Sequence, residues 1–184
     1  TATIGLARNL TIDAGSSLYM DYGAGASSGS LIIGGDINVA GNLSLGDSYG
    51  GDIYLGGDWT RTTGNFNANN RAVFFIGATG NQSIINTAGE SFPYVIVDKP
   101  SGNVILNNNV TISGGLTLTS GLVEVGTNNL VLGGANLSGG SSASYVKTAS
   151  TGVLSRNVGA SATTFPVGNS TYNAAMVTNA GTAD

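Results

Sequence analysis

The sequence predicts an all-β chain: a parallel β-solenoid (β-helix), expected to be right-handed, followed by a short β-hairpin or partial β-sandwich segment. Three observations lead there. Apolar alternations of three or four residues recur through residues 104–138, with starts at Val104, Val110, Leu116 and Leu122. That step of about six residues leaves no room for helices. Gly, Asn or Ser follows each alternation, as tight turns require. Finally, there are 30 Gly and 3 Pro, with 41% hydrophobic and only 9% charged residues, a balance opposite to that of disordered chains. A strand of three residues cannot bury its apolar face alone. It is stabilised by near-copies of itself stacked above and below.

Taken in order, residues 3–6 (TIGL), 10–12 (LTI) and 18–20 (LYM) begin the alternation at the first residues. The Gly/Ala/Ser stretch at 23–30 is a loop between strand signals. Strands follow at 31–33, 37–39, 43–45 and 53–55, again with starts six apart over the first three. Three such strands and their turns make a coil of about 20 residues, so the chain would hold on the order of eight coils. Residues 59–70 carry the only Trp and a polar run, and Val73, Phe74, Phe75 and Ile76 form the most apolar strand. Adjacent Phe74 and Phe75 must face opposite ways. The loop at 86–93, with Phe92 and Pro93, is expected to cover the outward one. Residues 94–98 form the next strand, and Lys99, Pro100, Ser101 and Gly102 a turn. The texture then changes at Gly139. Residues 145–148 and 153–156, around a Ser-Thr-Gly turn, read as a hairpin, and 165–168 and 172–177 as strands of a sandwich. The division is therefore a solenoid over 1–138 and a hairpin with an incomplete sandwich over 139–184.

Composition excludes several functions. The net charge is −4 with no basic cluster, which argues against nucleic acid as a partner. No run of about 18 apolar residues is present to span a membrane as a helix. Cys is absent, which removes disulfides and thiolate metal sites. His is absent too, which removes the commonest general base and metal ligand. The chain begins at Thr1, consistent with a removed targeting segment or a piece of something longer.

Few side chains could carry chemistry. Gly-Gly-Asp triplets end at Asp36, Asp52 and Asp58, with Asp47 nearby. Stacked turn carboxylates of this kind could hold calcium; the bland alternative is that Gly supplies positive φ and Asp closes the turn. No other cofactor is expected. Tyr49, Tyr54 and Trp59, with Tyr19 and Tyr22, are candidates to stack on glycans, against the alternative that they cover the solenoid. A glycosidase would need two carboxylates about 5–10 Å apart. A lyase would need a basic residue beside acids, and Lys99 and Lys147 stand in turns or hairpins without such company. No Gly-x-Ser-x-Gly elbow exists and no triad forms without His. Thr pairs at 1–3, 60–62 and 117–119 are too few for an ice-binding array. Asn at 107–109 and 128–129 should stack into ladders along the axis.

The stretch "GGDWTRTTGNFNANNRAVFFIGATGNQSI", followed by "FPYVIVDKPSGNVILNNNVTISGGLTLTSGLVEVGTNNLVLGG", resembles the repeat region of large surface proteins secreted by Bacteroidetes. The shared pattern is a strand ending in Gly-Asp-Trp, an Asn-rich segment, an apolar strand, Gly-Asn-Gln-Ser-Ile, a Lys-Pro-Ser-Gly turn and Leu-Thr-Leu-Thr-Ser-Gly. "SYVKTASTGVLSRNV" and "FPVGNSTYNAAMVTN" are similar to the segment that opens a β-sandwich in those proteins. Arg71, Ala72, Val73 and Phe74 depart from the Gly-Thr-Val pattern more usual there. The resemblance implies a type IX-exported stalk or adhesive scaffold.

The expected function is therefore that of a non-catalytic extracellular or cell-surface structural protein. It would be a segment of a stalk or fibre, with open ends that associate with another copy or with flanking repeats. The alternative is a carbohydrate-binding module on a solenoid face that takes surface glycans, and after it a polysaccharide-degrading β-helix.

Overall fold

The computed structural model describes residues 4–6, 8–20, 27–47 and 49–181, with the side chains of Ile4, Leu6, Ser27, Ser28 and Tyr49 outside that description. It is an all-β parallel solenoid of about six turns. Each full coil contributes one short strand to each of three faces. The first face runs through Leu31–Ile33, Ile53–Leu55 and Ala72–Phe75. It continues in residues 94–98 and 115–118 and ends at Asn136–Gly139. The second carries Leu10–Ile12, Ile37–Val39, Trp59–Arg61, Gln82–Ile85 and Val104–Leu106, and extends to Val146–Lys147 and Val167–Gly168. The third position holds Ser17–Tyr19, Asn42–Ser44 and Asn65–Asn67, then residues 90–92 and 110–112, then Leu130–Gly133 and Leu154–Arg156.

Register explains why three-residue strands survive. On the first face Leu31 aligns with Ile53, Ile53 with Val73, Val73 with Val95, Val95 with Leu116, and Leu116 with Leu137. Each strand therefore lays an inward apolar side chain on its counterpart, and the core is one continuous column. Burying such a side chain contributes about 1.5–3 kcal/mol, which a lone triplet in water would not obtain. Cross-coil partners are mostly 19 to 25 residues apart, from Val104 with Val123 to Trp59 with Ile84. The first step takes 27. That longer coil and the departure of the C-terminal segment leave about six turns instead of the eight expected.

Close coil-to-coil approach sets the glycines. Gly102 has φ +73, and a Cβ on it would overlap the carbonyl oxygen of Gly80 one coil earlier. Only Gly meets both conditions there.

Two expectations are corrected by the coordinates. Phe75 faces the core, and Phe74 faces outward, as alternation demands, but Phe92 does not cover Phe74. Phe92 is itself fully buried, edge-on to Phe75 and Trp59, because residues 90–92 form a third-position strand with alternate side chains inward. Outward Phe74 instead stacks on Tyr54. The second correction concerns the expected hairpin at 145–156. Val146–Lys147 pairs in parallel with Val123–Glu124, and Leu154–Arg156 in parallel with Leu130–Gly133. Val146 and Leu154 each extend a different face inward over the core, which pairing with each other would forbid. Parallel stacking thus reaches Val167–Gly168, beyond residue 138. The short antiparallel pair joins Thr163–Phe165 to Ala175–Val177, on either side of Val167–Gly168 in the sequence.

Candidate functional site: polar ladders, a buried ionic seam and a cleft

The aspartates act as links between coils. The Asp36 carboxylate accepts the backbone N–H of Asp58 at 2.8 Å and the side-chain amide of Asn9 at 3.3 Å. Asp58 accepts the N–H of Ser83 at 2.7 Å, and Asp52 that of Ala72 at 2.9 Å. Asn9 accepts the N–H of Asp36 at 2.9 Å, so the column runs Asn9, Asp36, Asp58, Ser83 in one direction. Among the described residues no three His, Cys, Asp or Glu groups converge where a metal could sit. Asp47 is exposed and has interactions of its own. Asp36, Asp52 and Asp58, considered from the sequence for calcium together with Asp47, each give a carboxylate oxygen to a backbone N–H of the next coil.

Asparagines do the same work in later coils. Asn109 accepts from the N–H of Asn129 at 2.9 Å, and Asn129 from that of Val153 at 3.3 Å. Asn108 accepts from Asn86 in the reverse sense at 3.0 Å. The Asn residues of these turns thus bond mainly to the backbone of a neighbouring coil. A true amide-to-amide step occurs elsewhere, from Asn65 Nδ2 to Asn42 Oδ1 at 2.9 Å.

The candidate glycan-stacking residues are not brought together on a surface. Trp59 is fully buried, and its Nε1–H donates to Glu90 Oε2 at 2.8 Å. It sits second in its coil, where the first residue of the strand points inward, so it cannot offer a ring face to a sugar. Tyr54 stacks on Phe74 with centroids 4.3 Å apart and planes 14° apart, so one ring face is already taken. Tyr19 is exposed, Tyr22 lies outside the described residues, and so does the Tyr49 side chain.

Sequence reasoning missed a buried ionic seam. The Glu90 carboxylate, 2% exposed as a residue, receives Trp59 Nε1, Arg61 Nη2 at 2.9 Å, Arg61 Nε at 3.0 Å and Asn86 Nδ2 at 3.3 Å. Arg61 Nη1 donates to the Gly64 carbonyl at 2.9 Å. At the corner between the first and second faces, Lys99 is buried and donates from Nζ to the Gly77 carbonyl at 2.9 Å and to Gln82 Oε1 at 3.1 Å. Gln82 in turn donates to the carbonyls of Leu55 and Gly57. Burial pushes the Lys99 ammonium below its ordinary value, with the negative charge of Asp58 opposing part of that. Lys99 thus lies inside, not in an open turn. Lys147 does have acidic company, Glu124 at 3.4 Å, but on the surface. The one signal that could have pointed to the seam is scarcity: in a chain with so few charges, each ionic side chain deserves a named partner.

A cleft of about 400 Å³ opens where the third face is interrupted. The strand Asn65–Asn67 pairs backward with Asn42–Ser44, but no ladder joins it to residues 90–92 among the described residues. Phe66 forms part of the wall, and its ring meets Trp59 and Phe92 edge-on at 4.7 and 6.0 Å. Asn69 and Asn70 have φ +47 and +57, a left-handed pair that turns the chain out before Ala72–Phe75. The opposite rim carries Ser91 and Pro93, beside a register shift between Phe92 and Tyr94 that brings Ser113 to the edge.

Fold and site define an all-β parallel β-solenoid of about six turns, with polar seams between its coils. No family model matches the chain, and neither a curated protein nor a solved structure matches it. No helix is long and apolar enough to cross a membrane among the described residues.

Proposed function

We propose that this chain is a non-catalytic, extracellular structural segment, a rigid spacer within a cell-surface stalk or fibre. The observation that carries this is the axial polar column Asn9, Asp36, Asp58, Ser83, which ties successive coils through side-chain-to-backbone bonds in one direction. The carboxylates of Asp36, Asp52 and Asp58 are engaged in holding coils together. With a coil rise of about 4.8 Å, six turns make a spacer of ~30 Å. Low charge and Asn/Thr/Ser-rich turns, together with the resemblance to large secreted surface proteins, support placing it outside the cell. Its partners are then flanking repeats or another copy, joined end to end through open strand edges. Immunogold electron microscopy of the native cells, with antibody to this chain, tests the assignment. Label along extended surface structures is expected. Label confined to the cell interior would overturn it, and release of reducing ends from polysaccharide by the purified chain would overturn its non-catalytic half.

A further inference from the structure

We propose that the cleft between Phe66–Asn70 and Ser91–Pro93 is a binding site for a neutral saccharide. It is distinct from the spacer role and from the aromatic residues considered above. Its volume, about 400 Å³, lies within the usual range of ligand pockets. No charged side chain lines it. An apolar patch, Phe66 with Pro93, is flanked by uncharged polar groups from three separate coils: Asn67 and Asn70, Ser91, and Ser113. The Asn70 amide and the hydroxyls of Ser91 and Ser113 make no hydrogen bond to the rest of the described chain, so they are free to exchange water for a ligand. Asn67, by contrast, already accepts from the Asn69 N–H at 3.3 Å, which orients its amide.

The backbone adds a further donor and acceptor. Asn65 donates its N–H to Gly41, and Asn67 accepts from Leu45, both in the preceding coil. In a parallel ladder alternate residues turn their backbone groups to opposite neighbours. The N–H and C=O of Phe66 therefore face the interrupted side. Mixed donors and acceptors without charge, around an apolar patch, match the hydroxyl rim and C–H face of a sugar ring. An extended peptide would want a row of free N–H and C=O pairs along an edge, and here Phe66 offers one such pair, since the Ser91 N–H already donates to Glu90 Oε1 at 2.9 Å. A charged polymer would want a countercharge, and none lines the cleft.

The test uses the whole chain, isotope-labelled, titrated with soluble oligomers of β-linked glucose, N-acetylglucosamine and mannose and followed by amide shifts. Shifts at Phe66, Asn70, Ser91 and Ser113, with an affinity unaffected by salt, are expected for at least one of them. The variant Asn70→Gly/Ser91→Ala/Ser113→Ala should weaken that binding about tenfold or more. Gly suits the positive φ at position 70, and the two serines are exposed, so the melting temperature should hold. Absence of shifts with all three oligomers at millimolar concentration overturns the proposal. So does binding that the triple variant leaves intact, binding that salt abolishes, or capture of an unrelated extended peptide at the Phe66 edge instead.

Discussion

Arg61 grips the buried carboxylate of Glu90 from one coil away, with Nη2 to Oε1 at 2.9 Å and Nε to Oε2 at 3.0 Å. The Glu90 side chain has no exposed surface, whereas Arg61 keeps 23%. The pair is therefore asymmetric: the anion depends wholly on its partners, while the cation still reaches water. Arg61→Met should leave the carboxylate buried and undercompensated, at a cost of about 3 kcal/mol. The double variant Arg61→Met/Glu90→Gln should recover part of that loss. Urea denaturation of wild type, Arg61→Met, Glu90→Gln and the double variant measures it. A single-variant loss below about 0.5 kcal/mol would mean the pair behaves as an exposed bridge.

The Asp36 carboxylate is predicted to work as a hydrogen-bond acceptor and not as a metal ligand. Asp36→Ala should lower stability by about 1 kcal/mol, since the Asp58 N–H loses its acceptor. Asp36→Asn, which keeps an oxygen in place, should lose less. Thermal melts of all three proteins should be the same in millimolar calcium and in chelator. A calcium-dependent rise in wild type that disappears in Asp36→Asn would restore the metal reading.

Lys99 should make the fold stiffer toward alkali over one window. Its folded pKa is depressed by burial below the ordinary 10.5. Between those two values the unfolded chain binds more protons than the folded one, so this residue's contribution makes stability rise with pH. Below the folded pKa both states are protonated, and the contribution is a constant cost. Unfolding free energy measured from neutral pH to 10.5 should climb in wild type relative to Lys99→Met. Parallel curves for the two proteins would show that Lys99 is not the source.

Much of the solenoid was legible in the chain because its signal is local. Inward Leu31, Ile53, Val73 and Val95 each sit in a short alternation closed by turn residues, and that pattern survives without knowledge of neighbours. The C-terminal strands were misjudged for the same reason. Val146–Lys147 and Leu154–Arg156 flank a turn, which locally looks like a hairpin, yet their partners lie in the preceding coil. Trp59 was weighed as a ring for a glycan to stack on; its acceptor, Glu90, is 31 residues away and left no local sign. The cleft was illegible altogether, since it arises from a ladder that fails to form between residues far apart in sequence.

By itself the sequence determined that the chain would be built from short strands and tight turns: period-two apolar triplets and Gly, Asn and Ser punctuation allow little else. Only the tertiary structure decided which polar groups would meet. Each coil can place a side chain on its own face, but which backbone N–H or carboxylate lies opposite depends on the step between coils, 27 residues in one place and 20 in another. That step is set by loop lengths and core packing together, so the bond from Trp59 to Glu90 and the opening beside Phe66 exist only once the coils are stacked.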